Sequence, residues 1–372
     1  MNKIFAEDLV WYGRYSDVDG KRYFDFSASG FEVCMTGKSC ALQISSDTEF
    51  WPEENKPVLG IYVKEISSES DYKAESFWEN FDESSFAKKI LKKAEEKVVL
   101  FESPLEKTVV IKVLKLSEVN FGTAGFNFLE IDGKQVKVPV ESGKKREQKL
   151  KIEIIGDSIT CGYGIEGVFN KDTFTTAQQR ADKSYAFKTA KALGAEFEYC
   201  SWSGIGITSK YVDETVNIPN VEVVMPGIWP YTDKSLAMRM KKEPEVWDEK
   251  KFSPDLVIIH LGTNDASFVR EVEERRVAFV CCYEQFLEAI HRRSPNAKIL
   301  CCLGVMGQNL CDSVDEAIGK FTEIFRDTKI CSVKFPVQDE NDGIGADWHP
   351  SEKTHEKMAL QLTEKIKEFL RG

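Results

Sequence analysis

Histidine is scarce in this chain, with four in 372 residues. Chemistry that needs a neutral imidazole near pH 7 therefore has few candidates. Long apolar runs are missing as well. No segment approaches the length of a membrane span. The start, "MNKIFAEDLVWYG", meets Glu7 and Asp8 before a signal-peptide core can form, so a cytoplasmic protein is expected. Positive charge is in deficit, 50 Lys and Arg against 61 Asp and Glu for a net −11. That balance argues against general affinity for nucleic acid or anionic membranes. The ten cysteines show no C-x-x-C spacing. Cys281-Cys282 and Cys301-Cys302 are adjacent pairs inside apolar runs, the pattern of buried reduced thiols and not of a metal site or disulfide framework. No internal repeat is visible. What is present is 42% hydrophobic and 11% aromatic residues, enough for a fully folded protein, and a length that suits two domains.

The two halves follow different periods. Up to about residue 140 the pattern is strand-like: "FEVCM" alternates Phe31, Val33 and Met35, and "TVVIKVLKL" is β-rich. Asp19-Gly20 and Asp132-Gly133 are hairpin turn signals. Residues 1–145 are expected to form a β-sandwich of the jelly-roll kind, with "AKKILKKAEEK" a solvated helix face. From residue 150 short apolar strands ("KIEII", "EFEYCS", "DLVIIHL", "KILCCLG", "KICSVKF") alternate with helices, among them "SYAFKTAKALG", which Gly194 ends. The C-terminal helix places Met358, Leu362, Ile366 and Phe369 on one stripe. This grammar predicts an α/β domain over 146–372, with five parallel strands covered on both faces in a flavodoxin-like three-layer arrangement. The basic stretch near 142–149 is its junction with the first domain.

"IEIIGDSITCGYGIEG", at residues 152–167, has two readings. Gly162, Gly164 and Gly167 match the glycine spacing of a dinucleotide-binding turn. That fingerprint needs its first glycine at the strand end and a helix beneath the pyrophosphate. Here the strand ends at Ile155, and "VFNKDTFTTAQQ" is a poor helix opening, so the glycines shape a loop. The other reading presents Ser158 at a strand tip. In an open parallel sheet, reactive groups gather at the carboxyl ends of the strands. Gly204 follows the second strand there, and Asn264 follows the third. A hydroxyl, a side-chain-free N–H and a carboxamide on one rim amount to a nucleophile with oxyanion donors: the Ser158 N–H, the Gly204 N–H and the Asn264 side chain. Asp157 is expected to brace the turn, and Asp265 to tie loops together.

Of the four histidines, His260 lies inside a strand, His291 follows a helical run beside two arginines and should be exposed, and His355 is inside the last helix. Only His349 lies in a loop, ahead of a helix that Pro350 can start. It is the general base on offer.

"GDS", an isolated glycine, "GTND" and "DWHP", in that order, resemble the SGNH (GDSL-type) hydrolases. A β-sandwich ahead of the catalytic domain and the "DWHPS" block resemble carbohydrate esterase family 2, the acetyl esterases of plant polysaccharides. The resemblance implies Ser158 as nucleophile, Gly204 and Asn264 as oxyanion donors and His349 as base. Many SGNH enzymes place an aspartate three residues before the histidine, where this chain has Ala346. Asp347 stands two before. Its carboxylate would complete a triad; a backbone carbonyl in its place would leave a Ser–His dyad. Both remain open. Flat aromatic surfaces for a pyranose are sought in Trp348, Trp229 and Tyr231, with Trp202 wedged under the rim.

The expected function is removal of O-acetyl groups from acetylated xylan or mannan oligosaccharides. It needs neither metal nor organic cofactor, and involves no nucleic acid or membrane. Self-association is a further expectation. The rival readings are an esterase or lysophospholipase for lipid acyl chains, and a carbohydrate-binding protein with incidental catalysis.

Overall fold

The computed structural model describes residues 1–73, 76–137 and 149–371. They form two compact units: Met1–Lys149 with Thr175–Ala177, and Leu150–Phe174 with Gln178–Gly372. The expected boundary at 145/146 lies outside the described residues.

The first unit is antiparallel. Its described strands are β1 (Asn2–Ile4), β2 (Val10–Tyr12), β3 (Ser16–Val18), β4 (Lys21–Tyr23), β5 (Gly30–Ser45), β6 (Val58–Ile66), β7 (Ala87–Ile90), β8 (Glu95–Lys115) and β9 (Gly125–Gln135). They join as β3-β4-β9-β5-β8-β6-β7, with β1 on β9 and β2 on β5. Alternation decides which face is buried: Phe31, Val33 and Met35 of β5 meet Ile111 and Val113 of β8 in one core. Each such side chain contributes roughly 1.5–3 kcal/mol. Asp19 (φ +52°) and Gly20 (φ +76°) form the two-residue hairpin that their chemistry predicts, between paired Val18 and Lys21.

Two expectations fail in this unit. Asp132-Gly133 is no hairpin but lies within β9. Gly133, at φ +147°, sits opposite Gly37 beside a register shift, and a Cβ there would fall 2.1 Å from the Thr36 carbonyl oxygen. Here the glycine serves close strand approach at an irregularity instead of a turn. "AKKILKKAEEK" is likewise strand, turn and strand. Ala87–Ile90 pairs with β6, Leu91 is fully buried, and Glu96 holds both Lys89 and the Lys92 N–H across the turn. Pairing with an existing sheet overrides the helix propensity of its lysines and glutamates.

The second unit contains β10 (Lys151–Gly156), β11 (Glu196–Ser201), β12 (Leu256–His260), β13 (Lys298–Gly304) and β14 (Ile330–Phe335), all parallel, in the order β11-β10-β12-β13-β14. The five expected strands are all there. The order reverses direction at β10, which places the ligand crevice outside the carboxyl ends of β10 and β12. The helices are α1 (Ser158–Cys161), α2 (Tyr185–Leu193), α3 (Met225–Ile228), α4 (Lys234–Met240), α5 (Thr263–Val269), α6 (Glu273–Arg293), α7 (Cys311–Ile324) and α8 (Glu352–Arg371). Helix α2 packs with α8 and α6 with α7, one pair per face of the sheet. Every residue of β12 is buried, as a strand covered on both faces requires. Ser184 Oγ caps α2 by accepting from Phe187 N, and Gly194 ends it at φ +62°. Met358, Leu362 and Ile366 form the buried stripe of α8. Among the described residues no helix is long and apolar enough to cross a membrane.

Candidate active site

Ser158 stands where β10 turns into α1. A Cβ at Gly156 would fall 2.0 Å from Thr160 Oγ1, so only glycine lets the chain double back this tightly. Asp157 braces the turn, its Oδ1 accepting from Ile159 N at 3.0 Å. Gly162, at φ +70°, ends α1 after a single turn.

The neighbouring strand ends are tied to this one. Asn264, near the start of α5, donates through Nδ2 to the Ile205 carbonyl at 2.8 Å and, more weakly, to Asp157 Oδ2 at 3.4 Å. One amide thus joins the loops after β10, β11 and β12. Gly204 lies in the same β11 loop at φ +76°, with open space where a Cβ would project. Buried Asp265 accepts from the N–H groups of Ile207, Thr208 and Ser209 and from Thr208 Oγ1. It ties the loop down as expected; burial raises its pKa while those donors pull it back.

His349 reaches the rim from the connection between β14 and α8. Its Nε2 accepts from Ser158 Oγ at 2.8 Å, and its Nδ1 donates to the Asp347 carbonyl at 3.0 Å, a tautomer assigned from these partners. The Asp347 carboxylate points elsewhere and takes the Tyr163 hydroxyl at 2.9 Å. Of the two arrangements left open by the sequence, the backbone carbonyl is the one present. The reason is local: Asp347 and Trp348 hold φ of +50° and +63°, a left-handed turn that aims the carbonyl at the ring. Poor hydration around the imidazole lowers its pKa from 6.5 to about 4, against the opposing pull of the Asp347 and Ala346 carbonyls and the Asp347 charge.

The puzzle of the three glycines resolves here. Gly164 O accepts from Ala346 N at 3.0 Å. A Cβ at Gly164 or Gly167 would lie 3.1 or 2.7 Å from the Ala346 methyl. These glycines bind no nucleotide phosphate; they make room for the loop that carries His349.

The aromatic expectations divide. Trp348 is 39% exposed beside His349, its indole edge-on to Phe169. Trp229 is 3% exposed and unavailable to a glycan. Its Nε1 donates to Glu153 Oε1 at 2.8 Å, and the Arg293 guanidinium lies 3.4 Å from its ring. Glu153 is three residues short of the end of β10, roughly 10 Å below the rim. Tyr231 bridges to Val246 and faces the Lys234 ammonium at 5.4 Å, and neither partner belongs to the rim. Trp202 is buried as expected.

Two further corrections concern single residues. His291 is half-buried against Phe321 and Phe325, not exposed. Cys281 is exposed, not buried, because α6 turns it away from its buried stripe.

Two tyrosines escaped the sequence reading. Tyr163 stacks on Phe174 and lies 4.3 Å from the His349 ring, centroid to centroid. It sits inside the "GYG" that the glycines had already drawn attention to. Tyr211 is 61% exposed, and its backbone N–H donates to the Gly204 carbonyl at 2.9 Å. Nothing in "SKYVDE" signals that.

A parallel five-stranded sheet with a serine hydrogen-bonded to an imidazole at its carboxyl rim is the architecture of a serine-type acyl hydrolase. The chain belongs to the GDSL-like Lipase/Acylhydrolase family, which it matches over residues 154–357. Its fold is similar to a family two carbohydrate esterase from Clostridium thermocellum solved in complex with cellohexaose: 28% identity, TM-score 0.78, covering 97% of this chain and 99% of that one. It is 37% identical over 261 residues to the cellulase/esterase CelE of Acetivibrio thermocellus, across 68% of this chain and 29% of CelE. The chain therefore spans under a third of that relative. An acetylxylan esterase / glucomannan deacetylase of Cellvibrio japonicus is 24% identical, across 74% of this chain and 71% of its own length. The resemblance to family 2 carried by the motifs and the α/β class read from alternating strands and helices are both borne out.

Proposed function

We propose that this protein is a serine acetyl esterase that removes O-acetyl groups from plant cell-wall polysaccharide fragments, acetylated xylan or mannan oligosaccharides, through an acetyl-enzyme. The observation that carries the reading is the Ser158 Oγ–His349 Nε2 hydrogen bond, with Nδ1 already committed to a carbonyl. As Oγ attacks the acetyl carbon, Nε2 takes its proton. The imidazolium then protonates the departing sugar oxygen, and water repeats the sequence on the acetyl-serine. The Ser158 N–H, the Gly204 N–H and Asn264 Nδ2 hold the oxyanion. Nδ2 becomes available by giving up its long bond to Asp157, the weaker of its two. His349 works with a carbonyl-oriented ring, so Ser158 and His349 act as a dyad, and Asp347 supplies main chain to it.

The reading of substrate class draws on the acetylxylan esterase / glucomannan deacetylase and on the cellohexaose-bound esterase among the relatives. Exposed Trp348 and Tyr211 flank the serine's rim on opposite loops and serve as platforms for sugar rings. The jelly-roll form of the antiparallel unit and action in the cytoplasm on imported fragments are part of the same proposal; ten free cysteines support the latter.

Deacetylation of acetylated xylo- and manno-oligosaccharides followed by NMR tests the reading. Ser158→Ala and His349→Ala should each abolish turnover, and activity on 4-nitrophenyl acetate should exceed that on the octanoate. Full activity in either variant, or a preference for octanoate, would overturn it.

A further inference from the structure

Asp347 carries a charge close to the imidazole yet directs it away. Its carboxylate meets Tyr163 Oη at 2.9 Å, while only its carbonyl meets Nδ1. Tyr163 is itself held on two sides. Phe174 stacks on it at 3.6 Å and 10°, and on the histidine side its ring lies 4.3 Å from the imidazole centroid, tilted by 36°. We propose that Tyr163 is a positioning residue for His349, setting the imidazole against its ring face and passing on to it the hold of the Asp347 carboxylate. This rests on the reading of Ser158 and His349 as the reacting pair.

The backbone explains why such a hold is needed. Two consecutive non-glycine residues with positive φ precede His349, a conformation that a side chain's Cβ disfavours. Left alone, that turn would relax and carry the Asp347 carbonyl off Nδ1. Three contacts oppose relaxation: Ala346 N to the Gly164 carbonyl at 3.0 Å, Gln338 Nε2 to the Trp348 carbonyl at 2.8 Å, and Tyr163 Oη to Asp347. Of these groups, Tyr163 is the one that also touches the imidazole. It also keeps water from one side of His349. The other polar groups near that ring are the Ser158 hydroxyl and the Asp347 and Ala346 carbonyls, with the Asp347 charge acting from beyond contact and His355 behind on α8.

The test is a double-mutant cycle on the full chain with 4-nitrophenyl acetate, with Ser158→Ala and His349→Ala as controls. Tyr163→Phe keeps the ring and removes the hydroxyl; Asp347→Asn keeps the carbonyl and a side chain that tolerates positive φ. Each should lower kcat about tenfold with KM unchanged, the scale of a hydrogen bond to a charged group. The double variant should be no slower than the slower single. Tyr163→Leu should cost about a hundredfold, and the acid limb of its kcat/KM profile should move up toward 6.5 as water reaches the imidazole. Effects of Tyr163→Phe and Asp347→Asn that multiply would overturn the proposal. So would a Tyr163→Leu enzyme whose kcat and acid limb match the parent while only its Tm falls. If Tyr163→Leu fails to fold, the cycle with phenylalanine decides alone. Activity surviving in the two controls would instead bring down the esterase reading.

Discussion

Two histidines that take no part at the rim should make the parallel-sheet unit sensitive to mild acid. His260 on β12 and His355 on α8 are fully buried on either side of Tyr185. His260 has neither ring nitrogen paired among the described residues, and His355 Nε2 is likewise unpaired. Desolvation holds both pKa values at about 3, against 6.5 for an open imidazole. A depressed folded pKa on a base means that the unfolded chain binds more protons below 6.5. Stability is therefore unaffected above 6.5 and is lost as pH falls from 6.5 toward 3. Each pH unit costs up to about 1.4 kcal/mol per ring, so two rings give roughly 3 kcal/mol between pH 6.5 and 5. That is a large share of the 5–15 kcal/mol that holds a typical domain together. Carboxylates are still mostly ionised in this window, which isolates the histidines. The variant to compare is His260→Phe, whose ring faces Tyr185 and Phe335 at the distances His260 now keeps, 5.2 and 5.5 Å, and which removes two unpaired nitrogens. Hydrogen exchange at β12 amides between pH 5 and 7 reads this unit alone. The parent should lose protection about one and a half times as steeply per pH unit as the variant, because His355 and the similarly lowered His349 keep their slopes in both. A flat parent profile, or equal slopes, would refute the reasoning.

Asn264→Ala should lower kcat by on the order of a hundredfold or more, and also loosen the rim, since it deletes the bond to Ile205. The acid limb of kcat/KM should lie well below 6.5, near 4: His349 must be neutral to accept the Ser158 proton, so activity rises with pH through its lowered pKa and is level at neutrality. A limb centred at 6.5 would contradict the lowered pKa of the His349 imidazole. Gly167→Ala should slow turnover while the chain still folds, because its methyl would meet that of Ala346 at 2.7 Å and displace the histidine loop; unchanged kcat would show that the loop has slack. Trp348→Ala should raise KM for acetylated oligosaccharides and spare 4-nitrophenyl acetate, whereas Trp229→Ala should lower Tm through loss of its bond to buried Glu153; the reverse pattern would reassign both tryptophans.

The parallel sheet was legible because its information is local. Each strand is a short apolar run bounded by polar or glycine residues, and burial on both faces leaves no alternation to misread. The antiparallel unit was harder. Whether Asp-Gly is a hairpin, as at residues 19–20, or an irregularity within a strand, as at 132–133, depends on which distant strand lies opposite. The same dependence turned "AKKILKKAEEK" into β7 and the start of β8. Its charges pair across a turn with a sheet edge that a helical reading never sees.

The site divides along the same line. Ser158, Gly204, Asn264 and His349 could be placed at one rim because topology puts strand ends together, and each residue type has few other reasons to stand there. What orients His349 was invisible, because it is main chain. A carbonyl leaves no letter in a sequence, and the left-handed turn that aims it falls on Asp and Trp, where no glycine announces positive φ. The trace it does leave is indirect. The Ala346 methyl lies where a Cβ on Gly164 or Gly167 would come within 3.1 or 2.7 Å of it. Two of the three glycines that suggested a nucleotide, Gly164 and Gly167, thus face Ala346, while Gly162 packs against Arg180. The loop that carries His349 packs against Gly164 and Gly167, and Tyr163, next to Gly164 in sequence, lays its ring against the imidazole.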